Sequence, residues 1–305
     1  MIEKVPSGVS LSIIIVTYNS SNCVTTCIHS LGNLPIGLTT ETIVIDNASQ
    51  DGSCEVVHRE FPEVVCIRND SNIGFVKANN QGCKLAKGQF VLFLNPDTEI
   101  LGQALEEMVR YLIDHPEVGA VGPLLQNSDG SAQQSYFSFP GFLSIFIEYM
   151  VSSKLAARLE LPRLIGLEPK EVDVIRGACL MSRKSVLDEI GGMNESLFMY
   201  SEETDLCYKI KKLGLSIVFL PGPRVIHYER KSMDTQSGFF TRYHYTRSRL
   251  IFIRDNYKTL RAFSLKGLIW ASLVVKAFVY RLFLRHDKAE IFYSLVRRLK
   301  AESIW

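Results

Sequence analysis

Net charge is what this sequence has least of: 34 Lys and Arg stand against 32 Asp and Glu, leaving +2 over 305 residues. A general nucleic-acid binder would carry a strong basic excess, so no nucleic acid is expected as a partner. Repeats, heptads and G-X-Y triplets are missing too, which excludes solenoid, coiled-coil and collagen-like chains. No C-x-x-C pair occurs among the seven cysteines, at 23, 27, 54, 66, 83, 179 and 207. Cys23 and Cys27 lie four apart on an expected helix but lack a matching Cys or His pair for a metal. Buried free thiols in a reducing compartment are expected instead. No signal peptide is expected either, because the apolar run Leu11–Val16 is short and ends in Thr17-Tyr18-Asn19. The expectation is a cytoplasmic location. There is no P-loop, no G-x-G-x-x-G after the first strand, no G-x-S-x-G and no H-E-x-x-H. Walker-type ATP hydrolysis, dinucleotide redox chemistry and Ser-His-Asp hydrolysis therefore lose support.

What is present is a chain with 47% hydrophobic residues, enough for a sizeable core. Leu11–Thr17, Thr42–Asp46, Val64–Ile67 and Phe90–Leu94 are short β-rich apolar runs. Helix-length segments separate them, ending near Leu31, Glu60 and Gly88, where glycine suits a left-handed C-cap. Alternation at this spacing predicts an α/β fold with a mainly parallel sheet, its strand ends converging on one site. Residues 123–170 are richer in Ser, Gln and Pro and read as loops and short helices over that site. A strand is expected over Asp173–Met181, a helix from Glu202 to Leu213, and a pair of short strands at Ile217–Leu220 and Arg224–His227. A long helix should start near Gly238. One catalytic domain, 1–257, with halves at about 1–122 and 123–257, would carry a helical extension, 258–305.

Several polar clusters sit where chemistry could happen, and each has a plain structural alternative. Asn95-Pro96-Asp97-Thr98-Glu99 follows the most hydrophobic strand. Asp97 there suits a divalent cation shared with substrate phosphates, or equally the N-cap of a helix starting near Ile100. Asp46, at a strand tip, suits a base imide or ribose hydroxyl, or a turn, while Asp51 reads as a helix cap. Glu202, Glu203 and Asp205 open a helix, where acidic residues either stabilise the dipole or supply a general base. His227 ends an apolar strand, as a metal ligand or a core histidine.

Taken in order, VTYN (16–19), VIDNASQDGS (44–53), N-x-GF (72–75) with Asn79-Asn80, and LNPDTE (94–99) form a series. RGACLMSR (176–183), GGMNESLFMYSEETDLCYKIKKLG (191–214) and PRVIH (223–227) complete it. The series, about residues 11–257, resembles the inverting family-2 glycosyltransferases, especially their rhamnosyltransferase-like branch in bacterial surface polysaccharide synthesis. The resemblance implies a GT-A fold, a nucleotide-diphosphate sugar donor and a saccharide or polyprenyl-linked acceptor. It implies that Thr17, Tyr18, Asn19 and Asp46 line the base and ribose pocket, with Asn72 and Gly74 close to the nucleotide. The family's Asp-x-Asp motif falls on Asn95-Pro96-Asp97, so Asn95 replaces its first Asp. Asp97, completed by His227, would then hold Mg²⁺ or Mn²⁺. The base motif falls on Glu202-Glu203, placing Glu203 where the family has Asp and leaving Glu202 and Asp205 as contenders. Tyr228-Glu229-Arg230-Lys231 departs from the usual Gly-Gly; that loop either closes over the diphosphate or is solvated. The donor leans towards dTDP-L-rhamnose. A nucleotidyltransferase and a non-catalytic nucleotide-sugar-binding subunit remain as rivals.

Charge is distributed unevenly along the chain. Residues 258–300 carry ten Lys or Arg against Asp287 and Glu290, a net of +8, while 1–257 sum to −5. Gly267–Leu284 is mostly apolar, interrupted by Lys276 and Arg281. Its cations and aromatics suit a helix in the headgroup interface of an anionic leaflet, peripheral on the inner face of the cell membrane. The alternative is a helix packed on the catalytic domain or on a second subunit of a homodimer.

Overall fold

A computed structural model describes residues 9–32, 38–150, 168–229 and 238–302. The apolar runs become β1 (Val9–Thr17), β2 (Leu38–Asp46), β3 (Val65–Arg68) and β4 (Phe90–Leu94). They pair in parallel in the order β3-β2-β1-β4. All five β4 residues are buried, as a strand covered on both faces requires. Helices α1 (Ser21–Ser30), α2 (Ser53–Glu60) and α3 (Phe75–Leu85) connect them. Parallel register brings the carboxyl ends together, with Thr17 opposite Asp46.

Beyond β4 the sheet becomes mixed. The chain continues through β5 (Thr98–Leu101), α4 (Ala104–Asp114), β6 (Val118–Gln126), β7 (Tyr136–Phe137) and α5 (Phe142–Met150). Next come β8 (Lys170–Glu171), β9 (Val174–Ile175), β10 (Cys179–Arg183), α6 (Lys184–Glu189), α7 (Glu202–Lys212) and β11 (Ser216–His227). β10 runs antiparallel between β4 and β6, and β11 lies parallel to β6 and antiparallel to β5. Helices α8 (Gly238–Asn256), α9 (Thr259–Leu282) and α10 (His286–Ala301) close the chain. The fold is α/β with a mixed central sheet and a C-terminal helical extension, as expected of a GT-A protein.

Four local expectations are corrected. No helix begins near Ile100: residues 98–101 extend as β5 along β11, and α4 starts at Ala104. The two short strands at 217–220 and 224–227 are one strand, whose register on β6 shifts between Leu220 and Arg224. Pro221 and Pro223 lack the N–H a regular ladder needs, so the bulge falls on them. The strand over Asp173–Met181 is two, β9 and β10, with β9 pairing on β7 instead of the main sheet. Gly88 is not a left-handed cap, since α3 ends at Leu85. A Cβ there would lie 2.6 Å from the Ser12 amide nitrogen, so glycine serves the close passage past β1.

The chain divides into two compact units. Among the described residues, the first comprises 9–138, 168–198 and 202–229, and the second 139–150, 199–201 and 238–302. The first has its core on the sheet, with Ile13, Ile15, Leu92, Met108, Leu112 and Met181 all buried. In the second, α9 packs on α5, α8 and α10. There the buried Arg249 donates to Glu148 at 3.3 Å and to the Tyr245 hydroxyl at 3.0 Å.

Candidate active site

At the carboxyl ends of β1 and β2, most polar groups hold one another. Asp46 Oδ1 accepts from the Ser49 amide at 3.1 Å and from the Ser49 hydroxyl. Asn19, at φ 52°, accepts from the Gln50 amide at 2.8 Å through its side-chain carbonyl. The Asn19 amide itself donates to Ser49 Oγ at 2.9 Å. Tyr18 lies half-buried between Thr17 and Asn19. Two buried oxygens stand out: Thr17 Oγ1 and Asp46 Oδ2 make no hydrogen bond. Asp46 Oδ2 has only a long contact, 3.7 Å, with Arg68 Nε. Buried polar atoms are rarely left so, and each such oxygen costs about 1–3 kcal/mol. Thr17 and Asp46 are register partners at neighbouring strand tips, and a ligand's N–H or hydroxyl would satisfy either oxygen.

Asn47, not singled out from sequence, ties these strand tips to the loop before α3. Its Oδ1 accepts from the Ile73 amide at 3.0 Å and from Asn69 Nδ2 at 3.2 Å. Its Nδ2 donates to Asn72 Oδ1 at 2.9 Å, which also accepts from the Gly74 amide at 3.0 Å. Gly74 sits at φ 91°, and a Cβ there would lie 2.7 Å from the Phe198 ring. Both its conformation and its contact therefore exclude a side chain. Asn47's place after a strand tip was a readable signal.

The antiparallel pairing of β5 and β11 sets Thr98 opposite His227, and so delivers Asp97 to the histidine. Asp97 Oδ1 lies 3.5 Å from His227 Nε2, and the two side chains are only 12% and 8% exposed. Gln133, unforeseen in a stretch read as loop, decides what this contact means. Its Nε2 donates to the His227 carbonyl and to Asn127 Oδ1, both at 2.6 Å, which fixes Oε1 as an acceptor. That oxygen is 3.1 Å from His227 Nδ1, so Nδ1 carries the hydrogen. In neutral His227 the Nε2 lone pair then faces the Asp97 carboxylate, two acceptors across a gap that one cation would bridge. Metal ions bound at about 2.0–2.2 Å by each atom fit this separation, and a carboxylate with an imidazole suits Mg²⁺ or Mn²⁺. The residues fit the metal that the family resemblance implies. The Tyr228 amide donates to the Asp97 carbonyl at 2.9 Å, fixing the same turn. Arg230 and Lys231, the loop cations considered from sequence, lie outside the described residues.

Asn95 links this corner to the acidic helix. Its amide donates to the Ala178 carbonyl at 2.9 Å, and a Cβ on neighbouring Gly177 would sit 3.6 Å from Glu203 Oε2. Within α7, Glu202 is buried, and burial first and then the charge of Glu203 hold its carboxyl well above the usual range. The same burial and the same neighbouring charge favour the neutral form of Glu202 beside Glu203. Asp205, the third contender, is buried in a 3.0 Å ion pair with Lys209 one turn along. The sequence-derived residues thus gather at one sheet edge as three groups: Thr17, Tyr18, Asn19, Asp46, Asn72 and Gly74; Asp97 and His227; Asn95 and Glu203.

A second set of ligand types lies elsewhere, on α2 and β3. Cys54 Sγ is 3.4 Å from Cys66 Sγ and 3.7 Å from His58 Nδ1. Burial, then the Cys54 contact, push the Cys66 thiol up, and all seven cysteines are free, as expected.

Known proteins share both sequence and fold with this chain. The family described as Glycosyl transferase family 2 matches residues 12–191. An N-acetylglucosaminyl-diphospho-decaprenol L-rhamnosyltransferase of Mycobacterium tuberculosis is 25% identical over 285 residues, covering 88% of this chain and 91% of the relative. Low-salt glycan biosynthesis hexosyltransferase Agl10 of Haloferax volcanii is 29% identical over 213 residues, 68% of this chain and 63% of the relative. GalNAc-T7, solved with UDP, GalNAc and Mn²⁺, superposes with TM-score 0.61 at 18% identity, over 81% of this chain and 48% of its own. The mannosyltransferase PcManGT of Pyrobaculum calidifontis, with GDP-Man and Mn²⁺, gives TM-score 0.57 at 15% identity, over 97% and 89%. At these identities the two structures share the fold alone.

Proposed function

Because the chain belongs to glycosyl transferase family 2, we propose that it moves a sugar from a nucleoside-diphosphate sugar to an acceptor hydroxyl, inverting the anomeric carbon. The observation that carries this reading is geometric: Glu203 lies against Gly177, beside the Ala178 carbonyl that holds Asn95, with the buried Glu202 as its neighbour on α7. Glu203 is the general base: its carboxylate takes the proton of the acceptor hydroxyl, which attacks the anomeric carbon. The nucleoside diphosphate departs from the opposite face. One displacement with no covalent intermediate inverts the configuration. Thr17 and Asp46 receive the donor's base or ribose, Asn47 and Asn72 hold the adjoining loop, and Asn95 sets the turn that presents Asp97. Asp97 Oδ1 and His227 Nε2 would hold a Mg²⁺ or Mn²⁺ ion, which when bound supplies positive charge to the leaving diphosphate.

The donor is dTDP-L-rhamnose and the acceptor a saccharide carried on a polyprenyl diphosphate, for surface polysaccharide synthesis. The support is the Mycobacterium relative, whose alignment spans most of both chains. Residues 1–257 form the glycosyltransferase domain and 258–305 its basic extension. Incubation with UDP-, GDP- and dTDP-sugars, following nucleotide release with Mg²⁺ or Mn²⁺, tests the reading. Metal-dependent release from dTDP-L-rhamnose is expected. Diphosphate exchange in place of sugar transfer would indicate a nucleotidyltransferase, and binding without turnover a non-catalytic subunit.

A further inference from the structure

Helix α9 is apolar on two opposite faces, and among the described residues only one of them is covered. Ala262, Leu265, Ile269, Leu273 and Ala277 recur at helical spacing and are buried within the second unit. Opposite them Leu260, Phe263, Trp270, Phe278 and Leu282 form a second stripe; Phe263 is 77% exposed and Leu282 64%. Helix α5, packed against α9, repeats the pattern. Its Ile145 and Tyr149 are buried, while Phe142, Phe146 and Leu143, 72% exposed, are not. An ordinary surface helix hides its one apolar stripe and turns polar residues outward, and exposed apolar patches of this kind mark interaction sites.

By length and composition α9, with 24 residues, could cross a membrane. A spanning helix in lipid, however, would not have one face covered by α5, α8 and α10. It would also bring Lys266 and Lys276 into the hydrocarbon. Charge then selects the partner. Residues 257–285 carry Lys258, Arg261, Lys266, Lys276, Arg281 and Arg285 and no Asp or Glu. Four of them, Lys258, Arg261, Arg281 and Arg285, are exposed, and a second copy would set these against their like, whereas anionic headgroups complement them while the apolar side chains reach the acyl boundary.

We propose that the uncovered stripes of α9 and α5 seat the chain on an anionic lipid leaflet, with α9 lying along the headgroup interface. This surface belongs to the second unit and stands independently of the reaction proposed above. The test is flotation of the full chain with phosphatidylcholine vesicles, with and without phosphatidylglycerol, at low and high salt. Binding is expected only with phosphatidylglycerol and should weaken with salt. In a Trp305→Phe background, Trp270 emission should shift to the blue and be quenched by brominated acyl chains. Phe263→Ser with Phe278→Ser should lower partitioning by about tenfold or more, and Leu143→Ser with Phe146→Ser by a smaller factor. Because these side chains are exposed, thermal melting should stay unchanged. The proposal is overturned by failure to float, by equal binding to neutral vesicles, or by serine variants that bind like the unchanged chain. A stable dimer with Trp270 shielded from acrylamide without vesicles would likewise overturn it, in favour of a second copy.

Discussion

The strand-end site and helix α9 solve opposite problems with opposite materials. At the ends of β1 and β2 polar side chains are crowded, and nearly all are satisfied by one another: Ser49 on Asp46, Asn19 on Gln50, Asn47 on Asn72. What stands out there is the little that is left over, Thr17 Oγ1 and Asp46 Oδ2. Along α9 the apolar side chains are crowded, and half of them are covered. What stands out is again the remainder, a stripe that none of the described helices meets. In both places the ligand class follows from what the fold leaves unsatisfied: hydrogen-bonding ligands in one, a lipid surface in the other. The difference also implies separability. Changes at the first site should alter chemistry without altering partitioning, and changes on α9 the reverse.

The largest expected effect is at Glu203. Glu203→Gln should lower turnover by roughly 10²–10⁴-fold with nucleotide-sugar affinity and vesicle binding retained, as read by steady-state kinetics and calorimetry. Turnover near that of the unchanged enzyme would move the base elsewhere. Next is Gln133, which sets the His227 tautomer. Gln133→Leu should weaken Mn²⁺ binding by about 10–100-fold, measured by electron paramagnetic resonance. Gln133→Glu, which keeps an acceptor towards Nδ1, should recover much of it.

A smaller effect separates the two neighbouring glutamates. The Glu202 carboxyl is held above its unfolded value, so its contribution to stability is whole below about pH 4.3 and is lost as pH rises through the folded value. Glu202→Gln imitates the protonated form and removes that loss. Its Tm should match the unchanged protein near pH 4 and exceed it increasingly on the alkaline side, with turnover largely kept. A Glu202→Gln enzyme as inactive as Glu203→Gln would erase the distinction. The smallest effect is at Asp51. Burial opposes its ionisation, but hydrogen bonds from Ser53 and Ser21 hold its carboxyl below the usual range. Its stabilisation is therefore present above about pH 3.9 and lost as pH falls through the lowered folded value. Gly52, not Asp51, is the N-cap of α2, so Asp51→Ala removes only these hydrogen bonds and should cost about 0.5–1.5 kcal/mol at neutral pH by urea denaturation.

Much of the first unit was legible because its signals are local. Runs such as LSIIIVT and FVLFL announce buried strands, and the polar residues following them announce the ligand edge. The acidic start of α7 was equally visible, and the family resemblance singled out Glu203; the ion pair that occupies Asp205 was not readable. Pairing across long separations was not legible. Thr98–Leu101 resembles the start of a helix until β11, more than a hundred residues later, pairs with it. The same pairing creates the Asp97–His227 contact, and Gln133 acquires its role only through it. The cluster Cys54, His58 and Cys66 was missed for the same reason, since helix α2 and strand β3 must pack before the three atoms meet. On α9 the apolar composition was readable, but which stripe would be covered depended on α5, α8 and α10.

The most direct test is nucleotide release from the panel of UDP-, GDP- and dTDP-sugars by the full chain and by Glu203→Gln, with Mn²⁺ and with excess chelator. The unchanged enzyme should release one nucleotide diphosphate in a metal-dependent reaction and yield a product of inverted configuration. Glu203→Gln should bind the same donor and transfer poorly. Release that persists in excess chelator, or a retained anomeric configuration, would contradict the assignment of Asp97, His227 and Glu203.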